Sequence, residues 1–493
     1  MKPSELLARA NIRRERKIAE KTAASRSAAA AASQDAEAGN ALYYIAGIAF
    51  FTMILLAPMM IITEVQSGQV SYTGEGSSLR QVGYLIILAV SIFAAVRYKG
   101  GAKALVLPWP LLLALGWCWL SLAWSNVPDV AVRRLVLSTA VVWNTFIIFQ
   151  SAGYERTIRI LRILLVVLLA ANFATVFLDP PVGIHLMLED KMNTALIGNW
   201  RGLMGHKNVA GAACAVTILL FMFDAKHIKA WLRYGVIIAA AYFLYKSQSK
   251  TSAGMIALAT ACGWIFQRYD DKIRAFAIPT IMFLSAVVWF LISTYKTVAI
   301  NNFLNPSFFT GRGRIWAAMF RFSGDHLVLG SGFQSFWNVG SASPIYDYAQ
   351  GWIRGVATGH SGYIDLLVSI GVPGLLLVVF AFVIWPVWRL LASRIVPQRG
   401  ALAVALLLFC MGHNITESSL LERDSMIGII MLISVAVAQN WESLGVQAGK
   451  RMGGSDVFAY LQQRRVEAVE GGSSRKRRSS KRPSASATPA RAR

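Results

Sequence analysis

The chain has 493 residues, of which 55% are hydrophobic and 15% charged, with a net charge of +24. A soluble domain carries roughly 25% charged residues, and a mean hydropathy of +0.49 leaves more apolar side chain than a soluble core could hide. The apolar residues come in blocks of bilayer length without the strict alternation of an outer-membrane barrel, so the composition predicts an all-α polytopic integral membrane protein.

In chain order, residues 1–41 read as a basic, Ala-rich cytoplasmic tail without fixed structure. Twelve apolar blocks follow within a transmembrane domain at 42–440, at roughly 42–63, 82–96, 104–124, 130–150, 158–178, 208–224, 230–246, 252–267, 274–294, 361–388, 400–414 and 424–440. They predict about 12 transmembrane helices and one long periplasmic loop, about 295–360, between spans 9 and 10. Residues 441–493 form a second basic tail, ending in low-complexity Ser, Arg, Pro and Ala; such a composition buries too little to fold, and it is read as topogenic charge beside anionic headgroups. The first block is too long, and preceded by too many polar residues, to be a signal peptide. Cys118, Cys214, Cys262 and Cys410 each fall inside an apolar block, without metal-ligand spacing, and read as small core residues rather than a disulfide framework.

Orientation follows from the positive-inside rule. With the N-terminus inside, the first tail holds eight Lys/Arg, each of five inside loops holds three, and the C-terminal tail holds twelve, so 35 of the 49 lie inside. The other fourteen work against topology and call for a function. Arg and Lys at the hydrocarbon edge suit a phosphate-bearing substrate, Arg as a planar fork and Lys as a point charge.

Five outside segments concentrate chemistry: Arg201 to Asn208 before span six, Ser247 to Ser252 between spans seven and eight, Thr310 to Trp316, Gly359 to Asp365 entering span ten, and His413 to Ser418 closing span eleven. Gly311 and Gly313 let backbone amides approach an anion beside Arg312 and Arg314. His360, between Gly359 and Gly362, is expected to open the helix of span ten, with Tyr363 and Ile364 sharing its face. Asn208 is a good helix cap, with Arg201, His206 and Lys207 just ahead of it. Glu417, one helical turn from His413 and near Arg423, is an ionisable residue at the membrane edge. His185, His227 and His326 have no company that suggests ligation, and no metal-binding signature is present. The carboxylates are too scattered for a retaining-glycosidase pair.

The motifs RGLMGHKNVAG, SQSKTSAG, TGRGRIWAAM, GSGFQSFW and GHSGYIDLLVSIGVPGLLL, in this order over about 195–440, resemble the O-antigen ligase / O-antigen polymerase superfamily, and within it the bacterial exopolysaccharide-repeat polymerases. The resemblance implies a metal-independent glycosyltransferase without cofactors in the bacterial inner membrane. It would move a glycan from undecaprenyl diphosphate to a sugar hydroxyl on a second glycan acceptor at the periplasmic face. Polysaccharide export and chain-length proteins are its implied partners, and nucleic acid is not. The alternatives are an O-antigen ligase acting on lipid A–core and, from a different class, a transporter or flippase of lipid-linked sugars.

The implied reaction displaces a lipid diphosphate from an anomeric carbon, so preorganised cations must meet the charge on the leaving group and a base can take the acceptor proton. His360 and Arg314 are the expected catalytic residues; the family pattern favours the Arg just ahead of Trp316. Arg312, Arg201, Lys207, Lys250, Tyr363 and Glu417 are expected to bind diphosphate or acceptor. No metal ligand is expected.

Overall fold

The computed structural model describes residues 41–57, 78–98, 105–186, 196–299, 312–423 and 425–444. Both tails, apart from residues 41 and 441–444, lie outside the described residues, as do the end of the first apolar block, Lys191, Thr310 and Gly311.

Each of the twelve apolar blocks falls on a helix. They are α1 (Ala41–Ala57), α2 (Ser78–Tyr98), α3 (Trp109–Leu120), α4 (Pro128–Ala152), α5 (Tyr154–Leu178), α6 (Lys207–Met222), α7 (Ala230–Ser247), α8 (Lys250–Arg268) and α9 (Asp271–Ala299). After α10 (Arg312–Asp325) come α11 (Gly362–Val379), continued by a π-turn and a short helix to Leu391, then α12 (Pro397–His413) and α13 (Met426–Gln439). Four stretches, Arg80–Arg97, Pro128–Ala152, Tyr154–Leu178 and Gly362–Leu391, are long and apolar enough to cross a membrane. No β-strand occurs among the described residues beyond an isolated bridge between Ile184 and Trp200.

The layering follows from which helices are apolar all round. A helix hydrophobic on every side is buried, and α13 is buried without a break from Met426 to Ala438, as α6 is from Ala210 to Phe221. These two and α12, packed along α8, form the centre. The Ala/Gly-rich sequence of α6 permits close approach: a Cβ on Gly211 would stand 2.5 Å from the Cβ of Ser249. On the periphery, α7 and α9 expose Trp231, Ile238, Tyr245, Phe276 and Phe283. In a helical protein of membrane type, exposed apolar faces of this kind belong against lipid. The four cysteines are buried and unpaired.

The expected loop at 295–360 is not a plain loop. Its first residues continue α9, and α10 lies within it. Ile315, Met319 and Phe322 of α10 build a small separate core with Phe336, Ile345 and Val368.

Candidate functional site

The five polar segments, spread over two hundred residues, meet around Glu417. Its Oε1 accepts from Arg312 Nη2 at 2.6 Å and from Asn208 Nδ2 at 2.5 Å. Its Oε2 faces His360 Nδ1 at 3.6 Å. Arg312 Nη1 also donates to the Thr416 carbonyl. Thr416 meets Thr251 of α8 through their hydroxyls at 2.8 Å, and Lys207 Nζ reaches the Gln248 carbonyl at 3.4 Å. Ser418 donates to Asp365. Burial pushes the Glu417 carboxyl up, but the neighbouring His360 ring and the charge of Arg312 outweigh it and hold the pKa at about 2. Glu417 is therefore a carboxylate.

His360 is held from both sides. The Gly359 carbonyl accepts from Trp316 Nε1 at 2.8 Å, and the Gly359 amide donates to Asp365 Oδ1 at 3.0 Å. His360 itself stands at φ +53°, a left-handed conformation that costs a non-glycine residue energy and marks functional sites. α11 begins at Gly362 with Ser361 as its cap, so His360 precedes the helix instead of opening it. Its Nδ1 is turned to the carboxylate, which leaves Nε2 on the far side of the ring, and the side chain is one-third exposed.

Four helices, α6, α8, α10 and α11, begin in this cluster, at Lys207, Lys250, Arg312 and Gly362. Each start brings the positive end of a helix macrodipole to the cluster. Lys250 is exposed and close enough to Lys207 for their charges to repel. One carboxylate, Glu417, stands against these cations and dipole ends. An anion placed between Lys207 and Lys250 would relieve that repulsion.

The expected site residues divide in the structure. Glu417, Arg312, His360, Lys207 and Lys250 come together. Arg314 does not share the face of Arg312: two residues at 100° each put it on nearly the opposite side of α10. Arg201 is buried, and its guanidinium donates to the carbonyls of Val182 at 2.8 Å and Pro181 at 3.2 Å. The Tyr363 hydroxyl donates to the Met411 carbonyl at 3.1 Å, tying α11 to α12. Arg423, expected near Glu417, instead donates to Gln334 Oε1 at 3.2 Å.

Asn208 is not the cap of α6. His206 is, its Nδ1 accepting from the Asn208 amide at 3.2 Å, and the amide side chain of Asn208 is thereby free to reach Glu417. Burial, reinforced by His185, His360 and Arg312, lowers the His206 pKa to about 4, so the ring is neutral and able to accept. His185 has company after all: its ring lies 5.4 Å from that of His206, and its Nε2 accepts from the Lys207 amide at 3.3 Å. Nothing in the local sequence marks it, because its partners lie over twenty residues away. Asp365 is a hub that accepts from Trp337 Nε1 at 2.7 Å, Gly359, Thr358 and Ser418. Among the described residues no group of three His, Cys, Asp or Glu side chains could hold a metal ion.

The fold and site thus define a helical, membrane-type protein with a His–carboxylate–Arg centre at one end of its bundle, ringed by helix N-termini. Residues 234–379 match the model of the O-antigen ligase family, Wzy_C, and that match supports the resemblance to the O-antigen ligase / polymerase superfamily. The match supports an enzyme of glycan ligase or polymerase type. It covers Lys250, Arg312, Arg314 and His360; Lys207, Asn208 and Glu417 lie outside it. No curated protein matches the chain.

Proposed function

We propose that the chain is a metal-independent membrane glycosyltransferase of the bacterial inner membrane that polymerises exopolysaccharide repeat units. It takes the glycan from undecaprenyl diphosphate and places it on a sugar hydroxyl of a second glycan at the periplasmic face. In this reading the domain at 42–440 crosses the membrane about twelve times with both tails cytoplasmic, and the 295–360 region is periplasmic. Polysaccharide export and chain-length proteins receive the product.

The observation that carries the reading is the gathering of the five polar segments around Glu417, with His360 facing its carboxylate and Lys207 and Lys250 in the same cluster. The acceptor hydroxyl attacks the anomeric carbon, and its proton passes to His360 Nε2. The bond from that carbon to the phosphate oxygen breaks, and the electron pair leaves with the lipid diphosphate. The Glu417 carboxylate, 3.6 Å from Nδ1, favours the tautomer that carries its proton there and stabilises the imidazolium. Lys207, Lys250 and the helix N-termini meet the developing charge, the kind of preorganised stabilisation worth roughly 10²–10³ in rate per donor. Transfer to lipid A–core is the second reading, favoured by the description of the matching family.

The test uses the purified full chain in vesicles with a lipid-diphosphate glycan. Growth of a lipid-linked oligomer supports polymerisation, and transfer only to added lipid A–core replaces it with ligation. His360→Ala is expected to lower turnover about 10²–10⁴-fold while the donor still binds; a wild-type rate would remove His360 from the mechanism.

A further inference from the structure

The site described so far draws on no residue ahead of α6 and its lead-in segment, yet one residue of α4 is wired to it. Arg134, in the second turn of α4, is buried and directs its guanidinium at a single loop. Nη1 donates to the carbonyls of Gln334 at 2.5 Å and Trp337 at 2.9 Å, and Nη2 to that of Asn338 at 2.9 Å. A planar fork of donors gripping three carbonyls fixes a loop in which Gln334 and Asn338 both hold left-handed backbone, at φ +51° and +54°. The segment leading into α4 adds to the grip: the Ser125 and Ser335 hydroxyls meet at 2.8 Å, and the Phe333 amide donates to Ser121 Oγ at 3.0 Å.

That loop aims Trp337. Its indole Nε1 donates to Asp365 Oδ1, and the same oxygen accepts from the Gly359 amide, one residue before His360. An unbroken run of hydrogen bonds therefore joins α4 to the strained backbone that carries the His360 ring. A left-handed non-glycine residue persists only where its surroundings over-determine it. Loss of the Trp337–Asp365 bond leaves Asp365 Oδ1 held by the Gly359 amide alone, loosens Gly359, and lets His360 drift from Glu417.

We propose that Arg134 is a positioning residue for His360, acting through the 334–338 loop and the Trp337–Asp365 hydrogen bond. The proposal rests on the reading of His360 as the group that takes the acceptor proton. It gives the helices ahead of α6 a share in the chemistry: α4 sets the geometry of a histidine more than two hundred residues away.

Trp337→Phe is the decisive variant, because it keeps the ring that packs edge-on against Phe336 at 4.8 Å and deletes one donor. Arg134→Lys keeps the charge, but a point donor cannot hold three carbonyls. The full chain in vesicles is assayed for single-turnover transfer from a lipid-diphosphate glycan, for donor Kd and for melting temperature. Trp337→Phe is expected to slow transfer about ten-fold, since a small misplacement of a reacting group is enough to do so, with Kd and melting temperature unchanged. Arg134→Lys is expected to slow it at least as much, and neither change is expected to slow the residual rate of His360→Ala further. A wild-type rate for Trp337→Phe beside an impaired His360→Ala overturns the positioning role alone, as does a Trp337→Phe loss that recurs in full on the His360→Ala background. A fully active His360→Ala brings down the reading of the site as well.

Discussion

Glu417 shows what one carboxylate can do when it is the counter-charge to several cations. Buried ion pairs are expensive to assemble and are kept where geometry is needed. Here the carboxylate orients Arg312, Asn208 and His360 at once. His206 is bound to the same neighbourhood by a different constraint, since capping α6 requires its Nδ1 to stay unprotonated beside a helix N-terminus that repels added positive charge. Unfolded, the imidazole takes its proton near 6.5; folded, only near 4. Between these values the unfolded chain binds more protons, so stability falls as pH drops from about 6.5 toward 4. Glu417 works in a lower window, its contribution present above its ordinary value of 4.5 and lost as pH falls toward about 2. We expect a melting temperature that declines from pH 6.5 to 4, and a shallower decline in His206→Asn, which keeps a good cap without a titrating ring. An unchanged slope in that variant would remove His206 as a source. At this scale the sequence marks residue types better than partners. Arg312 and Arg314 are the same residue type in the string TGRGRIW, and the family resemblance favours Arg314; the start of α10 at Arg312 puts them on opposite sides, with Arg312 on Glu417. The roles of Asn208, His185 and Trp337 depend on contacts with distant segments, which no local pattern encodes.

Element boundaries explain how the site is held in shape. The Gly-His-Ser-Gly signature announces a helix start, but the start falls at Gly362, two residues later than the position of His360 suggests, because the Gly362 amide donates to the carbonyls of Asn414 and Glu417 at 3.0 Å. The polar segment after α12 thus supplies the first partners of α11. Further along, α11 breaks at Gly371, with φ +67° and ψ −176°. The break, beside Pro373, releases backbone groups that the 327–331 segment and α3 take up: Val372 N donates to Leu327 O at 2.9 Å, Ser331 N to Val368 O at 2.9 Å, and Trp117 Nε1 to Ile370 O at 2.9 Å. Gly371 and Pro373 are visible in the sequence as helix breakers; that the break docks the loop carrying Trp337 is not, because it is a pairing between two elements. A side chain at 371 would meet both penalties together. A Cβ there collides with the Val328 carbonyl and lies 2.9 Å from Leu329 N, in a backbone conformation that alanine avoids. Gly371→Ala is expected to cost about 3 kcal/mol or more and to reduce the yield of monodisperse protein on size exclusion. A normal yield and melting temperature would mean that the loop is docked by other contacts.

Across the whole molecule, the two ends of the bundle differ in the helix termini that their arginines meet. At the site end, Arg312 meets a side-chain carboxylate among helix N-termini. At the other end, cations from the loops read as inside sit on helix C-termini and on the carbonyls beyond them, where positive charge complements the dipole. Arg162 donates to the carbonyls of Leu220, Phe223 and Asp224 at the end of α6, Arg274 to Ser393 O at 2.6 Å, and Arg389 to Gln439 O at 3.3 Å. α6 therefore runs from the site to the arginine-stitched end, and the charge count that orients the chain assigns that second end to the cytoplasm. The four native cysteines are buried, so single added cysteines can report sidedness. Ser341 and Lys226 are both exposed, one beside the Trp337 loop and one in the turn after α6. A membrane-impermeant maleimide given to intact cells with a permeabilised outer membrane is expected to label Ser341→Cys at once and Lys226→Cys only after the inner membrane is opened. The reverse pattern would put the His360–Glu417 centre in the cytoplasm, where a glycan displayed on the periplasmic leaflet could not reach it, and the proposed reaction would fail with it.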